Sequence, residues 1–183
     1  MQCDPEAAQS IFSNPVLAAK TTLAPLDLTH QVIATEEVRQ RILNGPSDPY
    51  KGSGLTIRRM YHDLLIFYVE TYREVFGLDQ GCPVHDPVSV AVVLFAEGMK
   101  DLAFYDRGRE RWDINVITDG AHEPIDYRKV RNADHAQLGR TVAKEVAKGG
   151  RGIRIPRGLN VGRFWDVVDE CMQRAEEALL ARR

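Results

Sequence analysis

Residues 56–76 constrain the fold more than any other stretch of this chain. Met60, Leu64, Phe67, Tyr68, Thr71, Tyr72 and Val75 recur there at three- and four-residue intervals, and Gly77 follows as a stop. That period belongs to a long helix, because a strand would bring alternate residues to one face. A second such stretch begins at Asn160, where Val161, Phe164, Val168, Cys171, Met172, Ala175 and Leu179 share one side. Its basic end, Ala181-Arg182-Arg183, complements the negative end of a helix dipole.

Shorter helices are expected around these two. Asp4-Pro5-Glu6 reads as a cap, a first-turn proline and an acid at the positive end of the dipole. A domain rarely opens so close to a well-formed helix, so the chain is expected to begin inside a fold. Thr35-Glu36-Glu37 starts another helix, which stops at Asn44-Gly45-Pro46, and residues 87–96 form a short apolar one. Residues 47–54 and 80–87 read as loops, Asp119-Gly120 as a turn and Arg107 to Arg111 as a solvated turn. Strands are expected at 21–28, 112–118 and 139–146. Few strands among many helices imply an α/β chain with at least one parallel strand and incomplete β content.

A length of 183 residues corresponds to about one domain. Lys and Arg total 24 against 26 Asp and Glu, a net charge of −2, which gives no global pull toward nucleic acid or an anionic membrane. The longest apolar runs, 64–69 and 88–96, fall short of the roughly 20 residues that span a bilayer. Cys3, Cys82 and Cys171 show no C-x-x-C spacing, and the N-terminus has no basic and apolar leader. A soluble cytoplasmic protein in a reducing compartment is expected.

Pro83-Val84-His85-Asp86-Pro87 carries the most chemistry. Pro87 disfavours the helical region at Asp86, which then sits extended at the mouth of a helix. As structure alone, Asp86 is an N-cap. As a site, Asp86 offers oxygen to a hard cation and His85 an acid near neutral pH. Tyr68 and Tyr72 are i, i+4 neighbours that either pack in a core or line a cleft against a nucleobase. His62-Asp63, with His30, could serve a His-Asp metal phosphohydrolase, against the plainer reading of a solvated helix face. Gly149-Gly150-Arg151-Gly152 lacks the Lys-Ser/Thr of a phosphate loop and reads as an ordinary basic loop.

Several blocks come in an order that resembles the inosine–uridine-preferring nucleoside hydrolases, and their uridine nucleosidase branch most closely. They are Cys3 to Ala8, Pro25-Leu26-Asp27-Leu28-Thr29-His30-Gln31 and Pro83 to Ala91, then Arg111-Trp112-Asp113, Thr118-Asp119-Gly120 and Gly139-Arg140-Thr141. The resemblance implies an open, mostly parallel α/β sheet with flanking helices, of which 1–183 would be the C-terminal part. It implies hydrolysis of the N-glycosidic bond of a ribonucleoside, with bound Ca²⁺ holding the ribose diol and the attacking water. It gives His85 the role of protonating the departing base, Asp86 that of a calcium ligand, and Tyr68 and Tyr72 that of covering the base.

The family's Asp-rich signature, D-x-D-x-x-x-D-D, is absent from this sequence. Calcium takes 6–8 oxygen ligands and Asp86 offers at most two, so weak calcium binding and negligible hydrolysis are expected of this chain alone. Strand 21–28 would leave an open edge, so aggregation or self-association is expected, either as a homo-oligomer or with an N-terminal half. The alternatives are a non-catalytic module that pairs with a full-length homologue and the phosphohydrolase built on His62-Asp63.

Overall fold

In a computed structural model of the protein, residues 3–45, 57–119 and 138–181 are described. The 47–54 loop and Gly120 of the Asp119-Gly120 turn lie outside them. Several helices start where the sequence supplies a cap. Asp4 accepts from the Ala7 amide at 2.8 Å and opens α1 (Pro5–Ser13). Asn14 ends α1 and accepts from the Val16 and Leu17 amides, opening α2 (Pro15–Ala18). Each such cap satisfies an otherwise orphaned N–H and contributes about 1 kcal/mol.

The chain forms two compact units, one of Met1–Pro25 with Phe104–Gly158 and one of Leu26–Ala103 with Leu159–Arg183. In the first unit, strands later in the sequence pair as an antiparallel ladder, Trp112–Val116 against Thr141–Glu145, with Ile114 opposite Ala143. Ile114 and Val116 point inward and Asp113 and Asn115 outward, the period of two expected of a half-buried strand. The inward pair meets Phe12, Ala18 and Ile153 in one buried cluster. Gln9 from α1 accepts from the Val116 amide at 2.5 Å, so α1 is tied to the ladder as well as packed on it.

The expected strand at 21–28 does not form. Thr22 makes a single parallel bridge to Arg154, and Pro25 leads into α3 (Leu26–Thr29). The His30 amide donates to the Leu26 carbonyl at 2.8 Å, so a helical turn replaces the extended run. The α/β class stands, but the ladders among the described residues are antiparallel and parallel pairing is confined to that bridge. The Arg107–Arg111 stretch is more than a solvated turn. It folds around Asp106, 7% exposed, which accepts from the Arg109 amide and Arg154 Nε, each at 2.9 Å. Burial pushes the Asp106 carboxyl up, but these donors outweigh it and hold it below the usual range.

In the second unit, β1 (Ile33–Ala34) leads into α4 (Glu36–Asn44), which is capped by Thr35 and packs against α5 (Ile57–Phe76). β2 (Cys82–Pro83) pairs antiparallel with β1, Ala34 opposite Cys82, and runs directly into α6 (His85–Ala96). With the later ladder numbered β3 (Trp112–Val116) and β4 (Thr141–Glu145), the last helix is α7 (Val161–Leu180), opened by Asn160. α7 is bound to α5 by Arg58, whose guanidinium reaches Asp169 at 2.5 Å and Glu176 at 3.0 Å and donates to the Ile42 carbonyl. No helix among the described residues is long and apolar enough to cross a membrane.

Candidate active site

Three elements of the second unit meet at a cavity of about 320 Å³, lined by Tyr61, Tyr68, Tyr72, Cys82, His85 and Asp86 among others. A volume near the lower end of the range for small-molecule sites suits a nucleobase-sized ligand. The i, i+4 spacing on α5 brings Tyr68 and Tyr72 to one wall, as one turn of helix must. Tyr68 is 50% exposed, so it is not a core residue. The opposite wall is β2 and the start of α6, held by a donation from the Val84 amide to the Val32 carbonyl at 3.2 Å.

His85 is the first residue of α6 and Asp86 the second, with Val84 at the cap. Asp86 is therefore helical, and the reading of it as an extended N-cap is corrected. Pro87 stands at the third helical position, where an N–H has no partner within the helix, so the proline costs the first turn nothing. Asp86 gains from the positive end of the dipole instead.

The His85 ring is gripped at both nitrogens. Nδ1 lies 2.7 Å from Thr29 Oγ1 and Nε2 lies 3.0 Å from the Tyr72 hydroxyl. Its neighbours are the rings of His30, with centroids 5.4 Å apart, and Tyr72, 6.1 Å. Burial, helped by the nearby His30, pushes the His85 pKa below that of an ordinary histidine, and Asp86 only partly opposes this. Burial pushes the Tyr72 hydroxyl up, so it keeps its proton over the physiological range. Among the described residues the cavity thus gathers a neutral imidazole, three phenols, a thiol and one exposed carboxylate.

The four residues singled out by sequence, Tyr68, Tyr72, His85 and Asp86, line this cavity together. Thr29, Tyr61 and Cys82 were not among them. Thr29 sits in the Thr-His-Gln triplet, where a hydroxyl followed by a histidine was the available signal. The other constellations do not gather. His62 Nδ1 reaches its own neighbour Asp63 at 3.2 Å, while His30 stacks beside His85. Among the described residues, no three His, Cys, Asp or Glu side chains converge on one point. The described residues therefore fit neither the phosphohydrolase cluster nor the oxygen cage of calcium, to which Asp86 alone would contribute.

This fold is that of a ribonucleoside hydrolase: the chain superimposes on the purine-preferring ribonucleoside hydrolase from Gardnerella vaginalis with a TM-score of 0.60 at 19% identity, over 92% of this chain and 43% of that one. The family model described as inosine-uridine preferring nucleoside hydrolase matches residues 1–166, and the chain belongs to that family. It is 30% identical over 175 residues to the uridine nucleosidase of Saccharomyces cerevisiae, covering 95% of this chain and 46% of the relative. It is 31% identical over 91 residues to an inosine-uridine preferring nucleoside hydrolase of Crithidia fasciculata, covering 50% of this chain and 25% of the relative. The chain spans less than half the length of these relatives.

Proposed function

We propose that the protein acts in the hydrolysis of the N-glycosidic bond of a ribonucleoside of the uridine or inosine kind, releasing ribose and free base. The observation that carries the reading is His85, held between Thr29 and Tyr72 in the wall of a cavity lined by Tyr61, Tyr68 and Tyr72. The base lies against Tyr68 and Tyr72, whose faces stack on any planar ring. As the C1′–N bond breaks, its electron pair leaves with the base, positive charge grows on the ribose, and water bonds to C1′ and gives up a proton to solvent. A proton carried by His85 Nε2 passes to the base nitrogen and neutralises it. Because the His85 pKa is depressed, the protonated ring is a stronger acid than free imidazolium, and the loaded fraction falls as pH rises. Asp86, at the same rim, supplies negative charge toward the ribose. The cytoplasm is the proposed location, in keeping with Cys3, Cys82 and Cys171, which are free thiols.

A second reading is favoured by the one carboxylate that the described residues bring to the cavity: the chain works as a module whose site is completed by another polypeptide, a homologue or the remainder of the fold. Titration of the ¹⁵N-labelled chain with uridine and with inosine tests the site itself. The expected result is movement of the His85 and Tyr72 signals, abolished in the double variant Tyr68→Ala, Tyr72→Ala. Signals that stay still at millimolar nucleoside would refute the placement of the base.

A further inference from the structure

Thr29 is 2% exposed, in the last turn of α3, and 56 residues from the histidine that it touches. A buried hydroxyl must be satisfied, and among the described residues this one has two hydrogen-bond partners: the Leu26 carbonyl at 3.3 Å and His85 Nδ1 at 2.7 Å. A carbonyl can only accept, and a hydroxyl has one hydrogen. The hydrogen directed at Leu26 leaves Thr29 Oγ1 as an acceptor toward the ring. Which imidazole nitrogen bears the proton is set by the bond made at the other.

We propose that Thr29 is a positioning residue that fixes the neutral His85 ring as its Nδ1–H tautomer and leaves Nε2 facing Tyr72 and the cavity. Two backbone bonds hold the pair in register: the Val32 amide donates to the Thr29 carbonyl at 3.1 Å, and the Val84 amide donates to the Val32 carbonyl at 3.2 Å. In this arrangement the Tyr72 O–H donates to a bare Nε2, and Nε2 is the nitrogen that takes up and hands on a proton. After the proton leaves for the base, the ring is already the tautomer that Thr29 holds, so a turnover requires no ring flip. That consequence rests on the reading of His85 as the proton donor; the tautomer does not.

The test is two-bond ¹H–¹⁵N NMR of the histidine-labelled chain about two pH units above the ordinary histidine pKa of about 6.5, where the ring is neutral. The His85 signal is identified by its loss in His85→Gln. The wild-type ring is expected to carry its proton on Nδ1. Thr29→Val, nearly the same shape without the hydroxyl, is expected to lose that pattern, and Thr29→Ser to retain it. Tyr72→Phe is expected to leave the proton on Nδ1. A wild-type ring protonated on Nε2 overturns the proposal, as does an unchanged Nδ1–H ring in Thr29→Val or a tautomer switched by Tyr72→Phe. The wild-type, Thr29→Ser and Tyr72→Phe spectra decide the matter even where Thr29→Val does not fold. An Nδ1–H ring that ignores uridine and inosine would sink the functional reading and leave the role of Thr29 standing.

Discussion

Replacing Arg58 by methionine tests whether α5, which carries both tyrosines of the cavity, is clamped by charge. Arg58 is 6% exposed, and its partners Asp169 and Glu176 have side chains only 13% and 11% exposed. Methionine keeps the apolar stem and removes the guanidinium. Two sheltered carboxylates on one face of α7 and the Ile42 carbonyl then lose their donor. Removing one member of a buried ion pair typically costs 3–5 kcal/mol. Arg41, 3.6 Å from Asp169, remains to compensate that carboxylate, so the lower end of the range applies, about 3 kcal/mol. At roughly 2–4 °C per kcal/mol for a chain of this size, Tm falls by about 6–12 °C. The double variant Arg58→Met, Glu176→Met removes the more isolated carboxylate as well and is expected to recover at least about 1 kcal/mol of the loss, because a matched apolar replacement of buried charges is often neutral. Urea unfolding and calorimetry read both numbers. A single-variant loss below about 1 kcal/mol, or a double variant less stable than the single, would refute the clamp.

Other perturbations address the site. Gly81 has φ +146°, and a Cβ there would lie 2.4 Å from the Ala34 carbonyl oxygen, so Gly81→Ala must force β1 from β2; a loss of about 2 kcal/mol or more in urea unfolding is expected. His85 has a folded pKa below its unfolded value, so its contribution to stability is present above the unfolded pKa and is lost as pH falls through that value toward the folded one. Tm of the wild type should therefore drop more steeply than that of His85→Gln between about pH 7 and 5, and parallel curves would remove His85 as the cause. Millimolar calcium should leave Tm of this chain, produced alone, unmoved within about 1 °C; a rise of several degrees would mean a tight site that one carboxylate cannot explain.

Much of the site was legible because its signals are local. The i, i+4 tyrosines, the proline-bounded His-Asp pair and the Asp4, Thr35 and Asn160 caps act within a turn or two of themselves. The failures were of two kinds. After Leu23, the residues Ala24, Leu26 and Leu28 alternate like a strand, yet Leu26 is 64% exposed while Leu28 is 1% exposed, and Pro25 leads into a helical turn that the alternation concealed. At Asp86, the usual effect of a following proline yielded to the tolerance of a first helical turn. The second kind is distance. Arg58 finds Asp169 across 111 residues, Arg154 finds Asp106 across 48 and Thr29 finds His85 across 56, and no window of sequence pairs such groups.

Loss of the base beside His85 can be read directly from the products. The direct measurement is release of ribose from uridine and from inosine by the protein purified from its own cells with any chain that accompanies it, against the same preparation carrying His85→Ala. Ribose and free base in equal amounts are expected from the wild type, and a loss of about 10²–10⁴-fold in the variant, the usual worth of a positioned proton donor. Release unaffected by His85→Ala, or no ribose from the wild-type preparation, would contradict loss of the base beside His85.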